Sequence, residues 1–166
     1  MARILVTGGA GFIGSHVVDA LVAAGAAVAV VDNLATGHRE NLRLPRKDAA
    51  FTQLDLQDAS LLEVFRSQRP QAVVHLAAQS SVAVSTRDPA LDARSNILGA
   101  INLLRCCQET GVGKLVYAST GGALYGEPVY LPCDESHPIQ PLSYYALSKH
   151  TVERYLQLFG ATSGLR

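Results

Sequence analysis

The apolar run Ile4-Leu5-Val6 leads directly into Thr7-Gly8-Gly9-Ala10-Gly11-Phe12-Ile13-Gly14, and a helical pattern starts inside that stretch. Few folds accept glycines at this spacing between a strand and a helix. Taken as Gly8, Gly11 and Gly14, or as Gly9, Gly11 and Gly14, they allow a tight turn, a backbone open to pyrophosphate, and close packing of helix on strand. The helix start then presents N–H groups and positive potential to an anion. The sequence therefore predicts a strand, a phosphate-binding turn and a helix at its start.

Apolar runs recur at 27–31, 51–54, 72–76 and 115–118, without polar alternation. Such runs fit strands buried on both faces of a parallel sheet. Helical patterns at 12–24, 59–68, 90–110 and 143–159 alternate with them, and Gly25 and Gly111 stand where C-caps are expected. The expectation is an α/β fold: one Rossmann-type doubly wound parallel sheet, three layers α/β/α, over residues 1–166. The stretch 121–142 carries four prolines and reads as a long functional loop.

Zero net charge removes the usual electrostatic motive for binding nucleic acid or an anionic membrane. The most apolar stretch, 17–31, is broken by Asp19 and Gly25 and is too short to span a bilayer. The start lacks a signal-peptide layout, so a soluble cytoplasmic protein is expected. Cys106, Cys107 and Cys133 have no zinc-type spacing, and no metal site is expected. The first two read as helix packing and His75 as a packed strand-end residue.

Two further features carry chemistry. Asp32 follows the second run, where a carboxylate accepts hydrogen bonds from the adenosine ribose and repels a 2′-phosphate. NAD rather than NADP is the expected cofactor. Tyr145 and Lys149 stand four apart behind Ser143, a candidate N-cap, and so share a helix face. A nearby ammonium is expected to lower the tyrosine pKa and fit it for taking a proton from an alcohol. Ser119 and Thr120 end the fifth run, where a hydroxyl faces the ligand crevice and can orient a substrate hydroxyl.

Together these residues resemble the extended short-chain dehydrogenase/reductase family, in its NAD-dependent epimerase/dehydratase branch, nearest to the UDP-glucose 4-epimerases. The turn at residues 7–14 looks like that family's TGGAGFIG, and Asp32-Asn33-Leu34-Ala35-Thr36-Gly37 with Glu40-Asn41-Leu42 is similar to DNLSTG…ENL. Asp55-Leu56 with Asp58, His75-Leu76-Ala77-Ala78-Gln79, Asp88-Pro89, Asn96-Ile97-Leu98-Gly99, Tyr125-Gly126 and Tyr145-Ala146-Leu147-Ser148-Lys149 continue the likeness over the whole chain. The resemblance implies cofactor contacts at Gly8, Gly11, Phe12, Ile13, Gly14, Asp32, Asn33, Thr36 and Gly37, and at Asp55, Leu56, Leu76, Ala77, Ala78 and Gln79. Asn96, Tyr145 and Lys149 complete that set, although Asn96 also reads as a brace for the site's backbone. It implies Tyr145, Lys149 and Thr120 as catalytic residues, with Ser119 in reserve.

Departures from the pattern matter too. Four residues before Tyr125, where the resemblance places a hydroxyl, stands Gly121. The strand end favours Thr120 instead. Gly121-Gly122 replaces the acidic pair that related dehydratases use, which disfavours dehydration and leaves oxidation and reduction at a carbinol carbon. The implied reaction is 4-epimerisation of a nucleotide sugar, a UDP-sugar first, by transient oxidation at C4. The alternatives are another NAD-dependent nucleotide-sugar dehydratase or reductase, and a non-catalytic dinucleotide-binding remnant. The family continues into a substrate domain beyond residue 166, so this chain is expected to be a fragment, inactive alone. A homodimer through helices 90–110 and 143–160 is a further expectation of the resemblance.

Overall fold

The computed structural model describes residues 1–42 and 49–166. Its strands are β1 (Arg3–Thr7), β2 (Ala27–Asp32), β3 (Ala49–Gln53), β4 (Ala72–His75) and β5 (Lys114–Tyr117). Each expected run is a strand, with its ends moved by no more than two residues. All pairings are parallel, in the order β3-β2-β1-β4-β5. The order reverses between β1 and β4, and a ligand crevice is expected outside the carboxyl ends of the strands at that switch.

The helices are α1 (Phe12–Ala23), α2 (Leu61–Gln68), α3 (Val82–Arg87), α4 (Pro89–Ala93), α5 (Gly99–Thr110), α6 (Gly121–Leu124) and α7 (Tyr144–Ser163). Side chains alternate across the sheet, so its two faces build two cores. Leu5, Val31 and Val73 pack with Leu61 and Phe65 of α2 and with Leu103 and Leu104 of α5. Tyr155, Leu156 and Phe159 of α7 close that side. Val6, Val28 and Val30 meet Val18, Leu21 and Val22 of α1 on the other. Both faces are thereby covered over the central strands, which is why β2 and most of β1 and β4 read as apolar runs, while Lys114 and Val116 of edge strand β5 are exposed. Cys106 and Cys107 lie in the first core, and burial pushes their thiols up to about 11 and about 12.

Three local features differ from expectation. The helix expected over 90–110 consists of α4, a five-residue π turn at Arg94–Leu98, and α5. Asp88 caps α4 by accepting from Leu91 N at 2.8 Å, with Pro89 in the first turn. The π turn carries the buried Asn96, whose side chain bonds out of the helix to Gln79 and Ser148. Wider turns of this kind often accompany such functional placements. The short α3 was not expected: six residues hold too little apolar period to announce it. Within the loop at 121–142, α6 forms one turn, and the His137 ring packs against Tyr125 and Tyr130.

The last residues lie beside β5, where the next strand is expected. Leu115 N donates to Arg166 O at 2.7 Å and Arg166 N to Gly113 O at 3.2 Å. Leu165 joins the core formed with α2 and α5. No helix of the described residues is long and apolar enough to cross a membrane.

Candidate cofactor and catalytic site

Thr7, Asp32, His75 and Tyr117 are the last residues of β1, β2, β4 and β5, so they share the carboxyl edge of the sheet. The glycine turn leaves that edge from β1. Gly8 has φ +69°, and a Cβ there would stand 2.7 Å from Ala77 Cα; one on Gly14 would stand 2.7 Å from Gly9 Cα and strike the Gly8 carbonyl. Both glycines are thus demanded by close backbone approach. No side chain caps α1, whose first backbone bond runs from Ser15 N to Gly11 O. The amides of Phe12, Ile13 and Gly14 precede that bond and have no acceptor within the helix. Phe12 and Ile13 are 80% and 63% exposed. Open amides beside a turn with no Cβ in it fit a pyrophosphate.

Asp32 is buried and already at work within the protein. Its Oδ2 accepts from Ala10 N at 2.9 Å and its Oδ1 from Leu34 N at 2.8 Å. Each oxygen keeps a lone pair for a hydroxyl. The loop after β2 folds back on the same turn: His38 N and Asn41 Nδ2 both donate to Ala10 O, at 3.0 and 2.8 Å. A Cβ on Gly37 would meet Ala10 C at 2.9 Å, which explains the glycine, while Thr36 is exposed. Asn33 Nδ2 donates to Asp55 Oδ2 at 2.8 Å, tying the ends of β2 and β3. Burial pushes the Asp55 carboxyl up, but bonds from Gln57 N and from the Asn33 and Gln57 side chains outweigh it and hold it below its ordinary value. Leu56, beside it, is buried in the core.

Across the switch, Leu76, Ala77, Ala78 and Gln79 follow β4, all partly buried. Thr7 Oγ1 lies 2.7 Å from His75 Nδ1 and accepts from Ala77 N at 3.3 Å, locking β1 to the β4 loop. Gln79 gives its side chain to Ser81 and Asp92. Asn96 accepts from Gln79 N at 2.8 Å and donates to Gln79 O, Asp92 Oδ1 and Ser148 Oγ. Its amide is consumed within the protein. The structure places Asn96 as a brace between the β4 loop and α7.

Tyr145 and Lys149 lie on α7, which Ser143 caps by accepting from Ala146 N at 3.1 Å. Lys149 is 3% exposed and its Nζ sits 4.3 Å from the centre of the Tyr117 ring. Burial lowers its pKa to about 8, against the pull of Glu153 and Asp92. The expected lowering of the Tyr145 pKa is reversed: burial raises it, the Thr120 hydroxyl pulls it down, and Asp92 raises it further. Desolvation is the largest influence on this phenol. The Ser119 hydroxyl is held by Glu153 Oε1. Of the two candidate hydroxyls, Thr120 is the one that acts on Tyr145.

Several of these contributors escaped the sequence reading. Thr7, Tyr117, Asp92, Ser148 and Glu153 are ordinary residue types whose partners lie far away in the chain. His75 shows what such a partner does: burial, then the Lys149 charge, lowers its pKa from 6.5 to about 3. Below pH 6.5 the unfolded chain takes up a proton that the folded chain refuses. Stability is thus expected to fall as pH drops from 6.5 toward 3, by about 1.4 kcal/mol per pH unit from this residue. Urea unfolding at pH 7 and pH 5 measures it, and His75→Gln should flatten the slope; an unaltered slope in that variant contradicts the assignment.

The profile of the NAD dependent epimerase/dehydratase family matches residues 4–166. A putative UDP-glucose 4-epimerase of Methanocaldococcus jannaschii is 46% identical over 162 residues, covering 98% of this chain and 52% of that protein. The UDP-glucose 4-epimerase of Thermus thermophilus, solved with NAD, superposes with TM-score 0.93 at 53% identity over 99% of this chain and 52% of that one. The Thermotoga maritima enzyme, solved with UDP-glucose, gives 0.92 at 48% identity over 98% and 52%. The chain spans about half the length of the relatives it matches.

Proposed function

The chain belongs to the NAD dependent epimerase/dehydratase family, and from that premise we propose that it is the cofactor-binding half of a nucleotide-sugar 4-epimerase acting on UDP-sugars. The observation that carries the reading is the convergence, on one sheet edge, of an open-amide glycine turn with a half-buried Tyr145 and a buried Lys149. The turn at residues 8–14 would hold the pyrophosphate of NAD, and Asp32 the adenosine ribose, with Asn33, Thr36, Gly37, Asp55 and Leu56 around the adenine end. Leu76, Ala77 and Ala78 would line the cofactor beyond the switch. NAD held there would supply a reversible hydride acceptor, so that oxidation of the sugar carbon and its reversal would leave no net redox change. The protein's part is proton movement and orientation. Tyr145 takes the proton of the 4-hydroxyl and later restores it, Thr120 orients that hydroxyl, and Lys149 serves the ribose. Gly121 and Gly122 offer no acid–base group, which favours epimerisation over loss of water.

Residues 1–166 are proposed to form one NAD-binding domain, with the sugar site completed elsewhere in a longer protein. The direct test is calorimetric titration with NAD and NADP. Binding of NAD at least tenfold tighter than NADP is expected, because the Asp32 carboxylate repels a 2′-phosphate, and Asp32→Asn should narrow the gap to within about threefold. Equal affinity for the two cofactors in the unaltered chain would reject the assignment.

A further inference from the structure

Among the described residues Lys149 is the one buried ammonium or guanidinium group. It makes no direct ion pair; the pairs are Arg66 with Glu63 and His150 with Glu153. A lysine so placed loses its charge unless nearby groups oppose desolvation. The groups that act on it come from every side. Tyr145 and Glu153 lie on α7, Asp92 on α4, Tyr117 on β5, and His75 on β4. Of these, His75 stays neutral, and burial raises both phenols. Two carboxylates remain.

Both are held in place by unusual commitments. Asp92 is fully buried; its Oδ1 accepts from Gln79 Nε2 at 2.9 Å and Asn96 Nδ2 at 3.1 Å, while its Oδ2 has no partner. A buried carboxylate left incompletely bonded is costly without a compensating cation. Glu153 Oε1 takes the Ser119 hydroxyl, and Oε2 lies 3.3 Å from His150 Nδ1. Asn96 joins the Asp92 cluster to α7 through Ser148 Oγ at 3.1 Å. Glu153 stands one helical turn beyond Lys149 on α7, and Asn96 ties Asp92 to Ser148, the residue before Lys149, so both carboxylates bear on the ammonium across space.

We propose that Asp92 and Glu153 are positioning residues that flank Lys149 and keep its ammonium charged within the helix–sheet interface. The pair would thereby sustain the group that serves the cofactor ribose and Tyr145; this consequence rests on the role proposed above for Lys149. Their effect runs through charge across space rather than through a salt bridge. It also gives Asp92 and Asn96 a shared purpose, because the amide that braces the β4 loop holds the carboxylate as well.

The test is nuclear magnetic resonance of chain labelled at lysine Cε. The sequence has three lysines, Lys47, Lys114 and Lys149, and Lys149→Arg assigns the signal. Lys149 should titrate at about 8 in the unaltered chain. In Asp92→Asn and in Glu153→Gln its midpoint should fall by about one pH unit, raising the neutral fraction at pH 7 about fivefold. Glu153→Asp, which keeps the charge, should restore most of the shift. Should Asp92→Asn fail to fold, Glu153→Gln and its rescue decide the matter. An unmoved Lys149 midpoint in folded Glu153→Gln overturns the proposal. A parallel NAD titration separates the two readings. A shifted midpoint in a chain that never binds NAD upholds the carboxylate pair and removes the cofactor role; NAD binding with an unmoved midpoint does the reverse.

Discussion

Gly14→Ala is expected to cut NAD affinity about 100-fold or more, while Gly11→Ala and Gly122→Ala leave binding standing. A Cβ at position 14 would lie 2.7 Å from Gly9 Cα and collide with the Gly8 carbonyl. Every atom it meets is backbone, so no rotamer change relieves the clash. α1 must then move off the turn, or the turn must open. Overpacking of this kind costs about 1–3 kcal/mol or more. The displaced amides of Phe12, Ile13 and Gly14 are the groups proposed to hold the pyrophosphate, so most of that cost falls on the ligand. A loss of about 100-fold or greater in affinity is the expected reading, at about 1.4 kcal/mol per tenfold. Gly11→Ala is milder, since its Cβ would stand 3.3 Å from Gly8 O. Gly122→Ala is the control, with nothing within 4 Å. Calorimetry on the three variants, with thermal melts alongside, ranks them. Equal affinity for Gly14→Ala and Gly122→Ala would remove the turn from the binding site.

That ranking shows which parts of the molecule can be read without coordinates. The glycine turn is local: its spacing, the strand before it and the helix after it lie within some twenty residues, and each constrains the others. The central strands were equally legible, because burial on both faces leaves them largely apolar. Ser143 could be read as a cap because its partner is three residues away. Contacts between distant residues could not be read. Asp32 announces a ribose contact by position, yet nothing in the sequence says that Ala10 and Leu34 already hold both its oxygens. Asn96 matched a motif, and only the folded chain shows its amide spent on Gln79, Asp92 and Ser148. The π turn that aims it has no local signature either.

The sign of the tyrosine shift failed for a related reason. Spacing puts Lys149 one turn from Tyr145, and an ammonium there should acidify the phenol. Spacing says nothing of burial. The same burial that lowers Lys149 to about 8 raises Tyr145, and the ammonium itself rests over Tyr117. Burial thus opposes the acidification of Tyr145 that the spacing suggests. The Thr120 hydroxyl is the nearby group that pulls the Tyr145 pKa down. Its weight in the proposed reaction follows from that.

In a protein that completes the proposed sugar site, Tyr145→Phe should stop the proposed epimerisation and leave cofactor binding intact. The substitution removes one oxygen from a half-buried ring and keeps its apolar contacts, so the fold is expected to hold. With that oxygen goes the group proposed to accept the proton of the sugar 4-hydroxyl. Proton transfer by a positioned side chain contributes about 10²–10⁴ in rate, and loss of turnover on that scale is expected. Affinity for NAD should stay within about twofold, since the turn at residues 8–14 and Asp32 are untouched. Thr120→Val should lose less, about tenfold to a hundredfold, because it removes the neighbouring hydroxyl and leaves the acceptor. Ser119→Ala, whose hydroxyl belongs to Glu153, should stay closer to the unaltered rate than Thr120→Val. Interconversion of UDP-glucose and UDP-galactose measures turnover, and cofactor fluorescence measures binding. Full activity in Tyr145→Phe would move the chemistry to another residue, whereas joint loss of activity and NAD binding would make the ring a structural support.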